Sequence, residues 1–167
     1  MTQPVSNSRH SAYHGTGVGW TLNTAKHGLV VNGDRVTALG LFVEHYQQEQ
    51  VLWNGSGGET IFYQSELPYD PPSQAAWMDG TANGYPSYVV TDPTGTHQAY
   101  GLGIYSFFNQ GVNITEDNAM TVLPGTAVHD AATVFLSGSG QISHIINGVG
   151  DAVSSSHGGP STIVTYP

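Results

Sequence analysis

The sequence predicts an all-β chain of a few stacked coils, with an irregular loop and additional terminal strands, and three observations carry that expectation. The stretch from Gly28 to Glu66 superimposes on itself at an offset of 22 residues. Short runs rich in β-branched and aromatic residues are separated by Gly, Pro, Asn and Asp, which punctuate strands. No segment places apolar residues at helical spacing.

In the self-similar stretch Leu29, Val30 and Val31 fall on Val51, Leu52 and Trp53, Asn32-Gly33 falls on Asn54-Gly55, Leu39 on Ile61, and Glu44 on Glu66. A period in the low twenties is that of one solenoid coil. Each copy reads as an apolar strand, an Asn-Gly turn and a second strand. Gly supplies the positive φ of a tight corner and Asn tolerates the left-handed region, so Asn32 and Asn54 are assigned to a hydrogen-bonded ladder and to no chemistry.

After Glu66 the period stops at LPYDPPSQAAW, where Pro71 and Pro72 forbid a central strand. An ordered loop is expected there, continuing through 78–86. Strands resume at 87–90, 99–108, 119–124, 132–138, 140–146 and 161–167, and 148–161 reads as a flexible surface loop on composition. The expected organisation is a flexible N-terminal segment, 1–16, followed by a single domain, 17–167.

The formal net charge is −9, with only three Lys and Arg among 167 residues, so no basic stripe exists for a nucleic-acid backbone. The absence of Cys excludes a disulfide framework, a thiolate metal site and a Cys nucleophile. No run approaches the roughly 20 apolar residues of a membrane span, and the opening lacks an apolar signal-type stretch. Charged residues are 9 % of the chain and nine Tyr outnumber five Phe, the composition of an extracellular β protein. The expectation is therefore a secreted or extracellular location, with either a signal already removed or this chain part of a longer exported protein, and no membrane partner. An exposed coil edge invites pairing, so a homo-oligomer is expected.

The segments GLFVEHYQQEQVLWNG, FYQSELPYDPPSQAAW, AYGLGIYSFFNQGV, ISHIING and TIVTYP resemble the C-terminal portion of large secreted bacterial and fungal proteins, several named after attached discoidin (coagulation factor 5/8 type) domains. These are similar to the pectate-lyase-like superfamily, which includes glucan hydrolases of glycoside hydrolase families 55 and 87. The resemblance spans about residues 17–167, with PYDPP as its most specific signature. It implies a partial right-handed parallel β-helix and activity on extracellular polysaccharide. Full members are several times longer.

Glu44 and Glu66, one coil apart, are expected about 4.8 Å apart by the spacing of adjacent strands. A retaining glycosidase needs its two carboxyl groups about 5–5.5 Å apart, and two close carboxylates raise one pKa as general acid catalysis requires. The bland alternatives are solvated residues, a cation site, or hydrogen bonds closing the PYDPP loop. Asp70 in that loop is a third candidate carboxylate, with capping of its own turn as the alternative.

Trp77, Tyr69 and Tyr63 are candidate substrate-binding residues, as flat faces for sugar rings; closing the core is their alternative role. His45 joins that set, although a regular strand would turn it away from Glu44. His10 and His14 have metal-ligand spacing only on a helix, which their surroundings disfavour, and no metal or cofactor is expected. Gly138-Ser139-Gly140 lacks the full nucleophile-elbow pattern. Three functions remain: hydrolysis of extracellular polysaccharide, with a glucan as substrate, through paired carboxylates; a non-catalytic glycan-binding or coil-capping module; and a His-ligated copper oxidative enzyme, for which eight His argue.

Overall fold

A computed structural model describes residues 19–167. The expected flexible segment 1–16 and the pair His10 and His14 lie outside the described residues.

The described chain is all-β, with no α-helix and a single 3-10 turn at Gln74–Ala76. Its strands are β1 (Leu29–Val31), β2 (Thr37–Phe42), β3 (Val51–Trp53), β4 (Glu59–Glu66), β5 (Met78–Asp79), β6 (Ala82–Asn83), β7 (Tyr88–Val90), β8 (Gln98–Phe108), β9 (Ile114–Glu116), β10 (Met120–Val122), β11 (Ala127–Gly138), β12 (Gly140–Ile142), β13 (Val153–Ser154) and β14 (Ser161–Tyr166). Three parallel ladders run through them. The first has the order β1-β3-β7-β10, the second β2-β4-β8-β11, and the third joins β9 to β12. Antiparallel β14 closes the second ladder at β11, and antiparallel β13 closes the third at β12.

The repeat read from the sequence is the register of the first two coils. Leu29 pairs with Val51, Val31 with Trp53 and Leu39 with Ile61. Asn54 Nδ2 donates to Asn32 Oδ1 at 2.8 Å, and Thr91 Oγ1 donates to Asn54 Oδ1 at 2.7 Å, so Thr replaces Asn on the third rung. Later coils keep the ladder but not the length. Thr37 pairs with Glu59, Glu59 with Gln98, and Gln98 with Ala127, offsets of 22, 39 and 29 residues.

Alternation along each strand sends one set of side chains into the interior. Leu41, Tyr63, Leu102 and Ala131 are stacked there in register, and Val51, Trp53, Tyr88 and Val90 face them from the first ladder. Burying each large apolar side chain contributes about 1.5–3 kcal/mol, which sets the stacking direction. Some polar atoms drawn inside are paired with one another: Tyr88 Oη lies 2.6 Å from Thr60 Oγ1 and 2.8 Å from His97 Nε2. Burial keeps His97 neutral by lowering its pKa to about 4.

One irregularity recurs across the second ladder. Gly40, Phe62, Gly101 and Asp130 have φ of 64°, 64°, 69° and 54°, and the pairing skips each of them. A left-handed residue at the same level of four strands re-aims the side chains beyond it, as a bulge does.

Two sequence expectations are corrected. The loop 78–86 contains the β5–β6 hairpin, and 148–161 contains β13, whose Val153 and Ser154 are buried. Composition hid β13, because only its pairing with β12 holds it.

Neither Gly33 nor Gly55 has the positive φ expected of the Asn-Gly corners, and it is close stacking that bars a larger residue at Gly55. A Cβ on Gly55 would lie 1.9 Å from the Gly33 carbonyl oxygen. Gly55→Ala is expected to destabilise by about 1–3 kcal/mol through this overpacking, read as a lower urea midpoint with an unchanged slope; an unchanged midpoint would refute the close stacking of the corners.

Candidate active site

Beyond β2 the ladder continues through backbone bonds from Val43 N–H to Gln64 O (3.3 Å) and from His45 N–H to Glu66 O (3.0 Å). Leu41 and Val43 point inward, so Phe42 and Glu44 point outward; on β4, Tyr63 and Ser65 point inward and Gln64 and Glu66 outward. Glu44 and Glu66 therefore stand side by side on the outer face, as their offset predicts.

His45 departs from the expectation. Its φ is 64°, so alternation fails, and its wholly buried ring turns toward the carboxylates instead of away. Nε2 lies 3.0 Å from Glu44 Oε2 and 3.5 Å from Glu66 Oε2. Nε2 thus faces both carboxyl groups at once. The ligand atoms of Glu44, His45 and Glu66 lie within 4.8 Å of one another, a set able to hold a metal ion. With one His, it does not supply the imidazoles of a copper centre.

Glu66 is the titratable member. Burial first, and the Glu44 charge second, push its pKa up to about 7. Tyr69 Oη donates to Glu66 Oε2, the oxygen that also faces His45. Both partners meet the same oxygen, so Oε1 is left to carry the acidic proton.

The aromatic candidates take other roles. Trp77 is fully buried, with Nε1 donating to Gln47 O at 2.8 Å and its ring 5.7 Å from Phe108. Tyr63 is buried with Oη 2.8 Å from Ser87 Oγ. Neither presents a face to a sugar, because the loop after Glu66 folds back and drives Trp77 into the core. Tyr69 is buried edge-on against His45 (4.4 Å) and Phe107 (4.9 Å) and reaches the site through its hydroxyl. Asp70 stands outside the cluster; its Oδ2 accepts from Trp20 N–H at 2.9 Å.

Sequence reasoning did not single out Phe42 or Phe62, exposed by 50 % and 51 % on the face that bears the acids. Parity along β2 would have found Phe42, two residues before Glu44. It also missed Glu116, which the β9–β12 pairing buries completely. A shallow hollow of about 390 Å³ beside Asp151 and His157 shares no residue with the acid cluster.

Residues 8–66 match the LAM55 pectate lyase-like domain. The expected kinship with pectate-lyase-like glucanases holds. An exo-beta-1,3-glucanase from Streptomyces sp. (strain SirexAA-E / ActE) is 45 % identical over 158 residues, covering 93 % of this chain and 26 % of the relative. The structure of sacteLam55A from Streptomyces sp. SirexAA-E superimposes with a TM-score of 0.88 at 43 % identity, over 96 % of this chain and 30 % of that one. A glutamate-to-alanine variant of sacteLam55A in complex with glucose superimposes with a TM-score of 0.84 at 40 % identity, over 96 % of this chain and 29 % of that one. The chain thus spans between a quarter and a third of the relatives it matches.

Proposed function

We propose that this chain is the acid-bearing part of an extracellular β-1,3-glucan hydrolase, built as a right-handed parallel β-helix whose end is closed by β13 and β14. The observation that carries the reading is a carboxyl group poised near neutrality, Glu66, oriented through one oxygen by Tyr69 and His45. The glucanase relatives support the substrate class.

In this reading Glu66 Oε1 protonates the glycosidic oxygen as the bond to the anomeric carbon breaks. Glu44 keeps that proton in place by its charge, and His45 holds Glu44. The imidazole lies between the two carboxylates, so no sugar ring fits between them as a retaining pair requires. Glu44 is therefore assigned to positioning, and water attacks the anomeric carbon from the opposite face, giving its proton to a base carried outside this chain. The first sugar released from a β-1,3-glucan then appears as the α-anomer by proton NMR. Release of the β-anomer first would restore Glu44 as nucleophile, and chelator-sensitive or oxidised products would overturn the acid mechanism.

A second reading, a non-catalytic glycan-binding piece, is favoured by the share of the relatives that the chain spans. Retention on insoluble glucan without soluble products would select it.

A further inference from the structure

The outer face of the second ladder carries more than acids. Moving from Glu44 toward the start of β2, the next outward side chain is Phe42, in register with Gln64. Beyond it, at the level of left-handed backbone, stands Phe62. The rings of Phe42 and Phe62 lie 5.6 Å apart, tilted by 52°, and each is half exposed.

Phe62 is the unexpected member of its level. A bulky residue is a genuine outlier at positive φ, where glycine is the default. Its neighbours on the adjacent strands, Gly40 and Gly101, are glycines. A Cβ on Gly40 would meet nothing within 4 Å, and one on Gly101 would find only the Phe62 backbone, at 4.0 Å. The Phe62 ring therefore rises from a bare floor. Along the chain Phe42 is two residues from Glu44, about 6.6 Å of extended strand, close to the reach of one pyranose unit.

We propose that Phe42 and Phe62 form a glycan subsite that holds the sugar next to the one cleaved at Glu66. The occupant is a β-linked glucan, whose pyranose rings carry their hydroxyls equatorially and so offer apolar C–H faces to aromatic rings. Gln64, in register between Phe42 and Gly103, supplies a polar handle beside them. Gly40 and Gly101 keep the floor low enough for a ring to reach the aromatic faces. This proposal rests on the hydrolase reading for its direction, but binding tests it separately.

The test is calorimetric titration of wild type, Phe62→Gly and Phe42→Ala with a β-1,3-linked glucose pentasaccharide and with glucose. Phe62→Gly places in the strand the residue that Gly40 and Gly101 already supply, so its melting temperature should not fall. The pentasaccharide should bind at least tenfold more weakly to either variant, while glucose affinity changes less than twofold. Unchanged pentasaccharide affinity would overturn the subsite, as would equal losses for both ligands. So would a wild type that dimerises in sedimentation through this face, with variants that merely become monomeric. Loss of pentasaccharide binding without any hydrolysis by wild type would uphold the subsite and sink the hydrolase reading; hydrolysis with unaltered variants would do the reverse.

Discussion

Glu66→Gln is expected to lower kcat on β-1,3-glucan by a factor of about 10²–10⁴, the usual contribution of a positioned general acid. The amide keeps the shape and the Tyr69 contact but has no proton to give at the pH of turnover. Binding of the pentasaccharide should persist, which separates chemistry from folding. The pH profile gives a sharper test. Glu66 is raised to about 7, so the working, protonated form is lost as pH rises through that value, and the alkaline limb of kcat should fall there. Glu44→Gln removes a charge that helps hold the proton, and the limb should move to lower pH. An unmoved limb in Glu44→Gln would remove Glu44 from the mechanism, and full turnover by Glu66→Gln would remove Glu66.

The second large effect concerns stability. Glu116 is fully buried where β9 meets β12, and no hydrogen bond of ordinary geometry reaches either of its oxygens. Burial raises its pKa well above the carboxylate range; the amides of Asn118 and Tyr85 pull against this, and the charges of Asp117 and Asp79 add to it. A Cβ on Gly84 would lie 2.0 Å from Oε2, so the loop above packs its bare backbone directly against the carboxyl. A carboxyl whose folded pKa is raised contributes its full stability below the unfolded pKa and loses it as pH rises toward the folded value. The slope in that window is about 1.4 kcal/mol per pH unit for one group. Wild type should therefore lose urea stability as pH rises above the ordinary carboxylate range, and Glu116→Gln should make that decline shallower, leaving the share due to Glu66. Parallel curves for the two proteins would show that folding does not raise the Glu116 pKa.

Much of the architecture was legible because stacking converts sequence distance into spatial contact. An offset of 22 places Leu29 on Val51, and the same offset places Glu44 beside Glu66. The later coils were illegible as a repeat because offsets of 39 and 29 leave no self-similarity to slide against. His45 was misdirected because one left-handed residue breaks the parity on which strand reasoning depends. Trp77 was misread for a different reason. Its neighbours in sequence are loop residues, but its burial is decided by Gln47 and Phe108, thirty or more positions away. Glu116 gave no signal, since an acid on a short strand normally faces water and its burial depends on β12 beside it and the Gly84 loop packed over it.

The unequal coil lengths bear on how such a chain tolerates insertion and deletion. Between one rung and the next the chain wanders for 22, 39 or 29 residues, yet it rejoins the ladder in phase. Segments added at the corners are absorbed there and leave both carboxylates where they were. A single residue inserted between Leu41 and Glu44 would do the opposite, carrying the acid inward and a valine out. Distance along the backbone is free to drift at the corners, while odd and even along each strand are not.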